Sequence, residues 1–315
     1  MRIARGLQQA AAFNPSAVSI GNFDGVHRGH RFLFHKVMVE ARNHNLAPTV
    51  LTFDPHPSRV VAPERAPRLL TTIDERIALM REIGITQVLV LPFTNEVAHL
   101  TPEQFVERVL VDALKARVVI VGDNFRFGHK QAGDTASLAA LGARFGFRTH
   151  TLNAIDYRKQ AVSSTAVRKL IESGDVARAS RMLERAYALE GDVVTGQGVG
   201  SKQTVPTLNL RTSAEILPAV GVYITRTRAL DGEGQWNSIS NIGYRPTFEG
   251  SELSIETFLF GKLEHTPARI RVEFLRRVRD ERKFENPDAL KAQILRDVAR
   301  AQGYFRRLDR WVYSR

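Results

Sequence analysis

The feature that most constrains the fold is a change of pattern near residue 185. Before it, short apolar runs rich in β-branched residues alternate with segments of helical period. After it, β-like runs follow one another closely and are separated by Gly and Pro. The first pattern is typical of parallel sheets built from βαβ units, and the second of small barrels. The chain is therefore predicted to form two domains, residues 1–185 and 186–315.

The first domain is predicted to be an open, doubly wound α/β domain whose ligand site lies where its strands end. The expected strands are 17–20, 48–53, 87–91, 117–121 and 148–152, and the expected helices are 29–43, 72–83, 102–114 and 134–145.

The second domain is predicted to be a small six-stranded β-barrel, closed or partly closed, with a C-terminal helix. The expected strands are 189–194, 207–210, 222–227, 236–242, 253–260 and 270–275. From about Pro287, an apolar stripe at near-helical spacing is expected to pack against the domain. Its members are Leu290, Ile294, Val298, Phe305 and Leu308.

Composition limits the classes of function. The 315-residue chain has no cysteine, which excludes disulfides, thiolate metal sites and cysteine nucleophiles and favours a reducing cytoplasm. Since no signal-like or membrane-spanning apolar run is evident, we expect a cytoplasmic protein with no membrane partner. The net charge of +12 suggests anionic partners. Acidic residues interrupt basic runs such as 276–283, which favours solvated faces over a nucleic-acid-binding stripe.

Residues 20–30, IGNFDGVHRGH, follow the first expected strand and open the first expected helix. Gly21 and Gly25 allow a tight turn, and the N–H groups and dipole of a helix start favour a phosphate. His27 and His30 are three residues apart, so both rings can face the same side of the first turn. A pair of surface histidines is the alternative reading of the residues alone, but their position after a strand and between glycines favours a polyphosphate site.

Residues 163–168, SSTAVR, read as a helix start with hydroxyl caps and an arginine one turn later. A simple cap with a solvated arginine is the alternative. In residues 122–128, GDNFRFG, Asn124 offers amide hydrogen bonds, and Phe125 and Phe127 offer ring faces.

These segments together resemble bacterial FAD synthetases, within the nucleotidyltransferase superfamily that carries the HxGH motif. The resemblance implies a Rossmann-like domain that joins the phosphate of FMN to the α-phosphorus of ATP. It implies catalytic roles for His27 and His30 and a flavin site at Asn124, Phe125 and Arg126. The ATP and phosphate contacts that it implies are Gly21, Phe23, Gly29, His56, Ser163, Ser164, Thr165 and Arg168.

Polar residues in the second half suggest another phosphate-handling site. Thr207 and Asn209 are two apart on an extended segment, so they face one side and could present oxygens to Mg²⁺. Glu256 lies in an otherwise apolar strand, where an acidic group costs free energy unless it is paired or used. A solvent-facing glutamate is the alternative. Gly196, Gly198 and Gly200 form a Gly-rich stretch that alone is weak evidence for phosphate binding.

The segments PTLN (206–209), NIGYRPTF (241–248) and SIET (254–257) resemble the riboflavin kinase module. The resemblance implies that Thr207 and Asn209 bind Mg²⁺, that the glycines contact ATP, and that Glu256 is the general base. The chain departs from the family pattern at Ser201, Thr204, Val205 and Leu208, while Lys202 could supply a positive charge.

We therefore expect a bifunctional enzyme that converts riboflavin to FMN and FMN to FAD, with ATP as co-substrate, Mg²⁺ as cofactor and no nucleic-acid partner. It is expected to be a monomer or weak homo-oligomer. An FMN adenylyltransferase with a weak or inactive kinase domain is the nearest alternative. A nucleic-acid-binding protein is a more distant one, and no recognised nucleic-acid motif supports it.

Overall fold

The computed structural model describes residues 1–158, 160–194, 207–247, 250–282 and 284–313, in two compact units, Met1–Ser164 and Thr165–Arg315. A parallel sheet of six strands forms the centre of the first unit, in the spatial order β1-β4-β3-β2-β5-β6. The strands are β1 (Arg2–Arg5), β2 (Ser16–Ile20), β3 (Ala47–Phe53), β4 (Gln87–Leu91), β5 (Ala116–Gly122) and β6 (Arg148–Leu152).

Helices cover both faces of this sheet. They are α1 (Arg28–Asn43), α2 (Pro57–Val61), α3 (Ile73–Ile83), α4 (Asn95–Ala98), α5 (Pro102–Phe105) and α6 (Thr135–Phe145). Alternate residues of β2 join different apolar clusters: Val18 packs with the segment around Leu110, and Ala17 packs with Phe34 of α1. Because both faces are buried, every residue of β2 is buried. The doubly wound α/β prediction is confirmed.

Several local features differ from the expectation. Strand β1 was not predicted, because its sequence, RIAR, lacks apolar alternation; it forms by pairing with Gln87–Val90 of β4. A short hairpin, β7 (Asp156–Tyr157) and β8 (Gln160–Ala161), was also missed. The helix expected over 102–114 changes to π-type hydrogen bonding over Val106–Ala113.

The second unit contains a closed antiparallel barrel in the order β10-β13-β12-β11-β14-β9, as predicted. Helices α7 (Ser164–Glu172) and α8 (Val176–Leu183) precede it, and α9 (Pro287–Tyr313) follows it. The six strands are β9 (Tyr187–Val194), β10 (Thr207–Arg211), β11 (Gly221–Ala229), β12 (Gln235–Thr247), β13 (Gly250–Phe260) and β14 (Arg269–Arg279).

Helix α9 packs on the barrel mainly through its middle and C-terminal turns. Ala301 and Phe305 are buried against Val222 and Ile224, and Val298 and Leu308 pack beside them. The expectation that the apolar stripe packs along its whole length is wrong for Leu290 and Ile294, which are 42% and 39% exposed. These two residues precede the turn at which the helix meets the strands.

Asp297 of α9 is buried and accepts a hydrogen bond from Arg279 Nε at 2.8 Å. Arg279 lies in the basic run 276–283, so this arginine is a structural partner rather than part of a solvated face.

The compact units divide after Ser164, so α7 and α8 fall with the barrel. The boundary at residue 185 stays a prediction from the sequence. Among the residues that the structure describes, no helix has the length and apolar character needed to cross a membrane.

Candidate functional sites

The site of the first unit lies at the carboxyl ends of the parallel strands. After β2 the chain returns toward β3, whereas after β5 it moves to β6 on the other side. Loops that leave neighbouring strands in opposite directions open a crevice between them, which is the usual ligand site of such sheets. The turn 21–27 follows β2 and the loop 122–128 follows β5, so two of the predicted segments flank this crevice.

The histidine rings of the turn stack on each other. His27 is the N-cap of α1, and its Nδ1 accepts a hydrogen bond from the backbone N–H of His30 at 3.4 Å. The ring centroids lie 3.5 Å apart with planes 19° from parallel. Because Nδ1 of His27 accepts, a neutral His27 ring carries its proton on Nε2. The prediction that both rings face the same side of the first turn is confirmed.

His30 has an environment that favours its neutral form. Burial, followed by the neighbouring His27 and Arg76, holds the pKa of His30 well below its usual range. Its Nδ1 is buried and has no hydrogen-bond partner among the described residues. An unprotonated Nδ1 is less costly to bury than an unpaired N–H, so the neutral ring places its proton on Nε2.

The turn between β2 and α1 has a strained backbone that buried contacts hold in place. Phe23 and Val26 have positive φ values of 50° and 40°, a region that costs a non-glycine residue about 1–3 kcal/mol. Both side chains are buried, and the Phe23 ring meets the ring of His30 edge-on at 5.2 Å. The turn is therefore fixed before any ligand binds.

Asp24 ties this turn to the start of α3. Its buried carboxylate accepts hydrogen bonds from the backbone N–H of Leu70 at 3.0 Å and of Thr71 at 3.1 Å. The Thr71 hydroxyl donates to the same carboxylate and accepts from the N–H of Gly25 at 2.9 Å. Asp24 is thus a structural residue, and its charge is already paired with protein donors.

Ser164 and His56 lie against the same turn. The Ser164 hydroxyl donates to the Asp24 carbonyl at 2.9 Å, so segment 163–164 sits beside the histidine turn. His56 caps α2: its Nδ1 accepts from Ser58 N–H at 3.2 Å, and its Nε2 lies 2.9 Å from the Asn22 amide. Both ring nitrogens of His56 therefore have protein neighbours. The phosphate roles predicted for His56, Ser163, Ser164, Thr165 and Arg168 stay predictions.

The loop after β5 presents some of the expected flavin residues. Asn124 and Arg126 are exposed and Phe125 is half-buried. Phe127, by contrast, is buried in the core beside Phe105, so the expectation that it offers an open ring face is wrong. The sequence of the loop could not show which of its two phenylalanine rings, Phe125 or Phe127, lies in the core.

Two further features of this site were not predicted. Asn22 has a side chain that contacts His56 and a carbonyl that accepts from the Arg76 guanidinium at 2.8 Å. The guanidinium of Arg28, the first residue of α1, lies 5.9 Å from the centre of the Tyr157 ring on β7. Arg76 was not predicted to be buried, because charged residues are usually exposed. Tyr157 was not predicted because it belongs to the hairpin of β7 and β8, which the sequence did not indicate.

The site of the second unit is a row of polar residues across three barrel strands. Asn209 of β10 pairs directly with Glu256 of β13, and Glu256 pairs directly with Asn241 of β12. Directly paired residues share a face with Cβ atoms about 4.5–5.5 Å apart. All three are half-buried, and Thr207 lies two residues from Asn209 on the same face. The predicted placement of Thr207 and Asn209 is confirmed, while Asn241 was missed as a site residue.

Leu208 is one of the departures from the kinase pattern that the structure describes. Its side chain is buried on the opposite face of β10 from Asn209 and thus points into the barrel. This departure changes packing rather than the polar row. The predicted phosphate glycines Gly196, Gly198 and Gly200 lie outside the described residues, as do Ser201, Lys202, Thr204 and Val205.

Comparisons with known proteins show the family of each half of the chain. A family model described as FAD synthetase matches residues 9–166, and one described as riboflavin kinase matches residues 183–305. Proteins named bifunctional riboflavin kinase/FMN adenylyltransferase match almost end to end. The one from Escherichia coli K12 is 34% identical and covers 97% of this chain and 98% of its own length. The one from Haemophilus influenzae is 33% identical and covers 97% of this chain and 99% of its own length.

A solved structure also supports the fold. The Streptococcus pneumoniae protein described as a macrolide-efflux protein has a TM-score of 0.85 at 25% identity and covers 95% of this chain and 98% of its own.

A parallel α/β unit is joined in one chain to a closed barrel, and the matching families make the chain a transferase with two domains. The chain belongs to the family of bifunctional riboflavin kinase/FMN adenylyltransferases. The expected family, fold and enzyme class are thereby confirmed. No observation favours the alternative with an inactive kinase domain.

Proposed function

We propose that the crevice of the first unit transfers the adenylyl group of ATP to FMN, and that the polar row of the barrel phosphorylates riboflavin with ATP. The observation that carries the proposal is the stacked histidine pair at the start of α1, beside the crevice of the parallel sheet. A helix start supplies partial positive charge, and paired imidazole N–H groups add directed donors for a phosphate.

Adenylylation at this site needs no covalent enzyme intermediate. A phosphate oxygen of FMN attacks the α-phosphorus of ATP, and the bond from that phosphorus to the bridging oxygen breaks, which releases pyrophosphate. The Nε2–H groups of His27 and His30 donate to the oxygens whose negative charge grows during this displacement. The fixed turn keeps these donors oriented, so little reorganisation accompanies the reaction.

Flavin binding in the same crevice would use the loop after β5. The Asn124 amide and the exposed guanidinium of Arg126 suit the polar edge and phosphate of FMN, and the half-buried Phe125 suits the ring system. These roles, like those of Gly21, Phe23 and Gly29, are inferred from family resemblance and position.

Phosphorylation at the barrel needs a base for the riboflavin 5′-hydroxyl. Glu256 takes this proton as the hydroxyl oxygen attacks the γ-phosphorus of ATP, and ADP leaves. Its position between Asn209 and Asn241 supports this role, since amides on both sides can orient a carboxylate and a neighbouring hydroxyl.

Mg²⁺ is proposed as the cofactor of the kinase site, where the hydroxyl of Thr207 and the amide oxygen of Asn209 would hold it. Their donor chemistry fits, because Mg²⁺ in ATP-using enzymes is bound by a few protein oxygens together with substrate phosphates. When bound, the ion neutralises charge on the triphosphate.

Labelled ATP tests the two reactions separately. With FMN as substrate, the proposal expects label from the α-phosphate in FAD and label from the γ-phosphate in pyrophosphate. With riboflavin as substrate, label from the γ-phosphate should appear in FMN and in the FAD made from it. Absence of α-label from FAD would reject the adenylylation site, and absence of γ-label from both FMN and FAD would reject the kinase site. The absence of nucleic-acid partners, the oligomeric state and the cytoplasmic location stay predictions.

A further inference from the structure

Arg76 of α3 is buried to an unusual degree for a cation. It is 1% exposed, and it is the largest fully buried side chain among the described residues. Taking an arginine out of water costs several kcal/mol unless neighbouring groups compensate its charge. A fold that keeps such a residue must stabilise it through specific partners.

The partners of Arg76 lie in and around the turn that carries the histidines. Its Nη1 donates to the Asn22 carbonyl at 2.8 Å, and the Thr52 hydroxyl donates to the same carbonyl at 3.2 Å. Its Nε is buried without a hydrogen-bond partner in the described part of the chain. Arg76 is thus a contact between α3 and the residue that follows Gly21.

Opposite charges compensate the buried guanidinium. Burial lowers the pKa of Arg76, while the carboxylates of Asp24, Asp54 and Glu75 raise it in part and Arg59 opposes them. An arginine in this setting remains a cation. The Asp24 carboxylate also accepts hydrogen bonds from the chain around Thr71, which hold its negative charge near Arg76.

The charge of Arg76 also reaches His30. His30 lies against the stacked ring of His27 and the edge of the Phe23 ring. Burial is the largest cause of its lowered pKa, and the positive charges of His27 and Arg76 lower it further.

We propose that Arg76 is a positioning residue of the adenylylation site: it fixes the Asn22 carbonyl, and with it the histidine turn, and it places a permanent positive charge beneath that turn. This inference rests on the function proposed above for the site. Together with burial and His27, the cation lowers the pKa of His30 and so favours the neutral ring, whose Nε2–H remains a donor; the same charge favours a polyanion in the crevice.

The test compares Arg76→Lys, which keeps the charge, with Arg76→Gln, which keeps a donor for the Asn22 carbonyl but carries no charge. Arg81→Gln is the matched control, because Arg81 is an exposed arginine of the same helix. The measurement is kcat/KM for FMN adenylylation across the pH range of histidine titration. Riboflavin phosphorylation by the same preparations reports the state of the barrel.

Arg76→Gln is expected to lower adenylylation by about 10- to 100-fold, because the turn loses the positive charge beneath it and the shorter side chain holds the Asn22 carbonyl less firmly. The acid limb of its pH–rate profile, where activity falls as pH drops, should also move to higher pH, because His30 without the cation protonates more readily. Arg76→Lys should keep the acid limb of the wild type. A purely structural role would lower the rate and the unfolding midpoint without moving the acid limb.

The inference would be overturned if the acid limbs of Arg76→Gln and Arg81→Gln lay at the same pH. It would also be overturned if the acid limb of Arg76→Lys lay at a different pH from that of the wild type. If Arg76→Gln does not fold, an acid limb of the wild type or of Arg76→Lys at or above the free-imidazole value of about 6.5 still overturns the inference, because burial and the cation both lower the pKa of His30. A wild-type protein without adenylylation activity would instead reject the proposed function itself.

Discussion

The two candidate sites are built in different ways. In the first unit, the histidines project from a strained turn whose carbonyls and carboxylate are held by buried groups from α3 and β3. In the barrel, Asn209, Glu256 and Asn241 are half-buried on regular strands, and their alignment follows directly from strand register.

This difference predicts how strongly the geometry of each site depends on single side chains. The barrel row depends on the pairing of whole strands, so a single side chain there can be replaced without moving its neighbours. The histidine turn depends on a small set of buried hydrogen bonds, so residues that never touch substrate should affect it strongly. Substitutions in the two sites test this contrast.

Glu256→Gln tests the barrel row most directly. Removing a general base is expected to lower riboflavin phosphorylation by about 10²- to 10⁴-fold, while FMN adenylylation stays at the wild-type rate. Glu273→Gln, at a half-buried glutamate on strand β14, is the matched control and should leave both rates near wild type. An unchanged phosphorylation rate in Glu256→Gln would remove this carboxylate from the chemistry.

His30→Asn tests the histidine turn in the same way. Loss of one preorganised donor is expected to lower adenylylation by about 10²- to 10³-fold, with riboflavin phosphorylation unaffected. The control is His35→Asn, because His35 is an exposed residue of the same helix. Equal losses of adenylylation in His30→Asn and His35→Asn would show that the effect does not come from a donor in the histidine turn.

The sequence predicts most of the elements because their signals are local. Strands β4 and β6 match the expected bounds, and α1 differs by one residue at its start. The barrel was predicted because six β-like runs follow one another without helices between them. What local signals cannot reveal is structure that depends on a distant partner, such as β1, which exists only through β4.

The candidate sites show the same limit. The positions of His27, His30, Thr207 and Asn209 follow from spacing, because three residues on a helix and two on a strand return to the same face. Arg76 could not be predicted, since the segment IDERIALMREI has the charges of an ordinary solvated helix and burial arises from the contact with Asn22. Sequence therefore indicated the residues proposed to contact the ligand and missed the buried residues that hold them in place.

Asp24→Asn tests a residue beneath the ligand site. The amide oxygen can keep the bonds that Oδ1 accepts, but the NH₂ group replaces Oδ2, which accepts from the Leu70 N–H at 3.1 Å, and so faces another donor. The substitution also removes a negative charge near Arg76. We expect a loss of about 1–3 kcal/mol in the unfolding free energy of the first unit, measured by chemical denaturation. Adenylylation should fall while riboflavin phosphorylation does not.

The control for Asp24→Asn is Asp74→Asn. Asp74 forms an exposed ion pair with Arg5, and such pairs contribute about 0–1 kcal/mol. If the two variants were equally stable, the turn would not depend on its buried carboxylate, and the contrast with the barrel would lose its physical basis.

Gly29→Ala is the smallest and most discriminating change, because its effects on stability and activity should have opposite signs. Alanine in the first turn of α1 is favoured over glycine by up to about 1 kcal/mol, so the first unit should become slightly more stable. A Cβ at this position, however, would lie 3.2 Å from Cε1 and 3.3 Å from Nδ1 of His27. The ring must shift by a few tenths of an ångström, and adenylylation is expected to fall by up to about tenfold.

Gly303→Ala in α9 is the matched control for this effect, because a Cβ there meets only the ends of Arg306 and Arg307 at 3.7 Å. It should stabilise the barrel unit and leave both activities unchanged. If Gly29→Ala raised stability without lowering adenylylation, the orientation of the His27 ring would not limit the reaction. A loss of stability in Gly29→Ala would instead mean that the turn is too rigid for the ring to move aside.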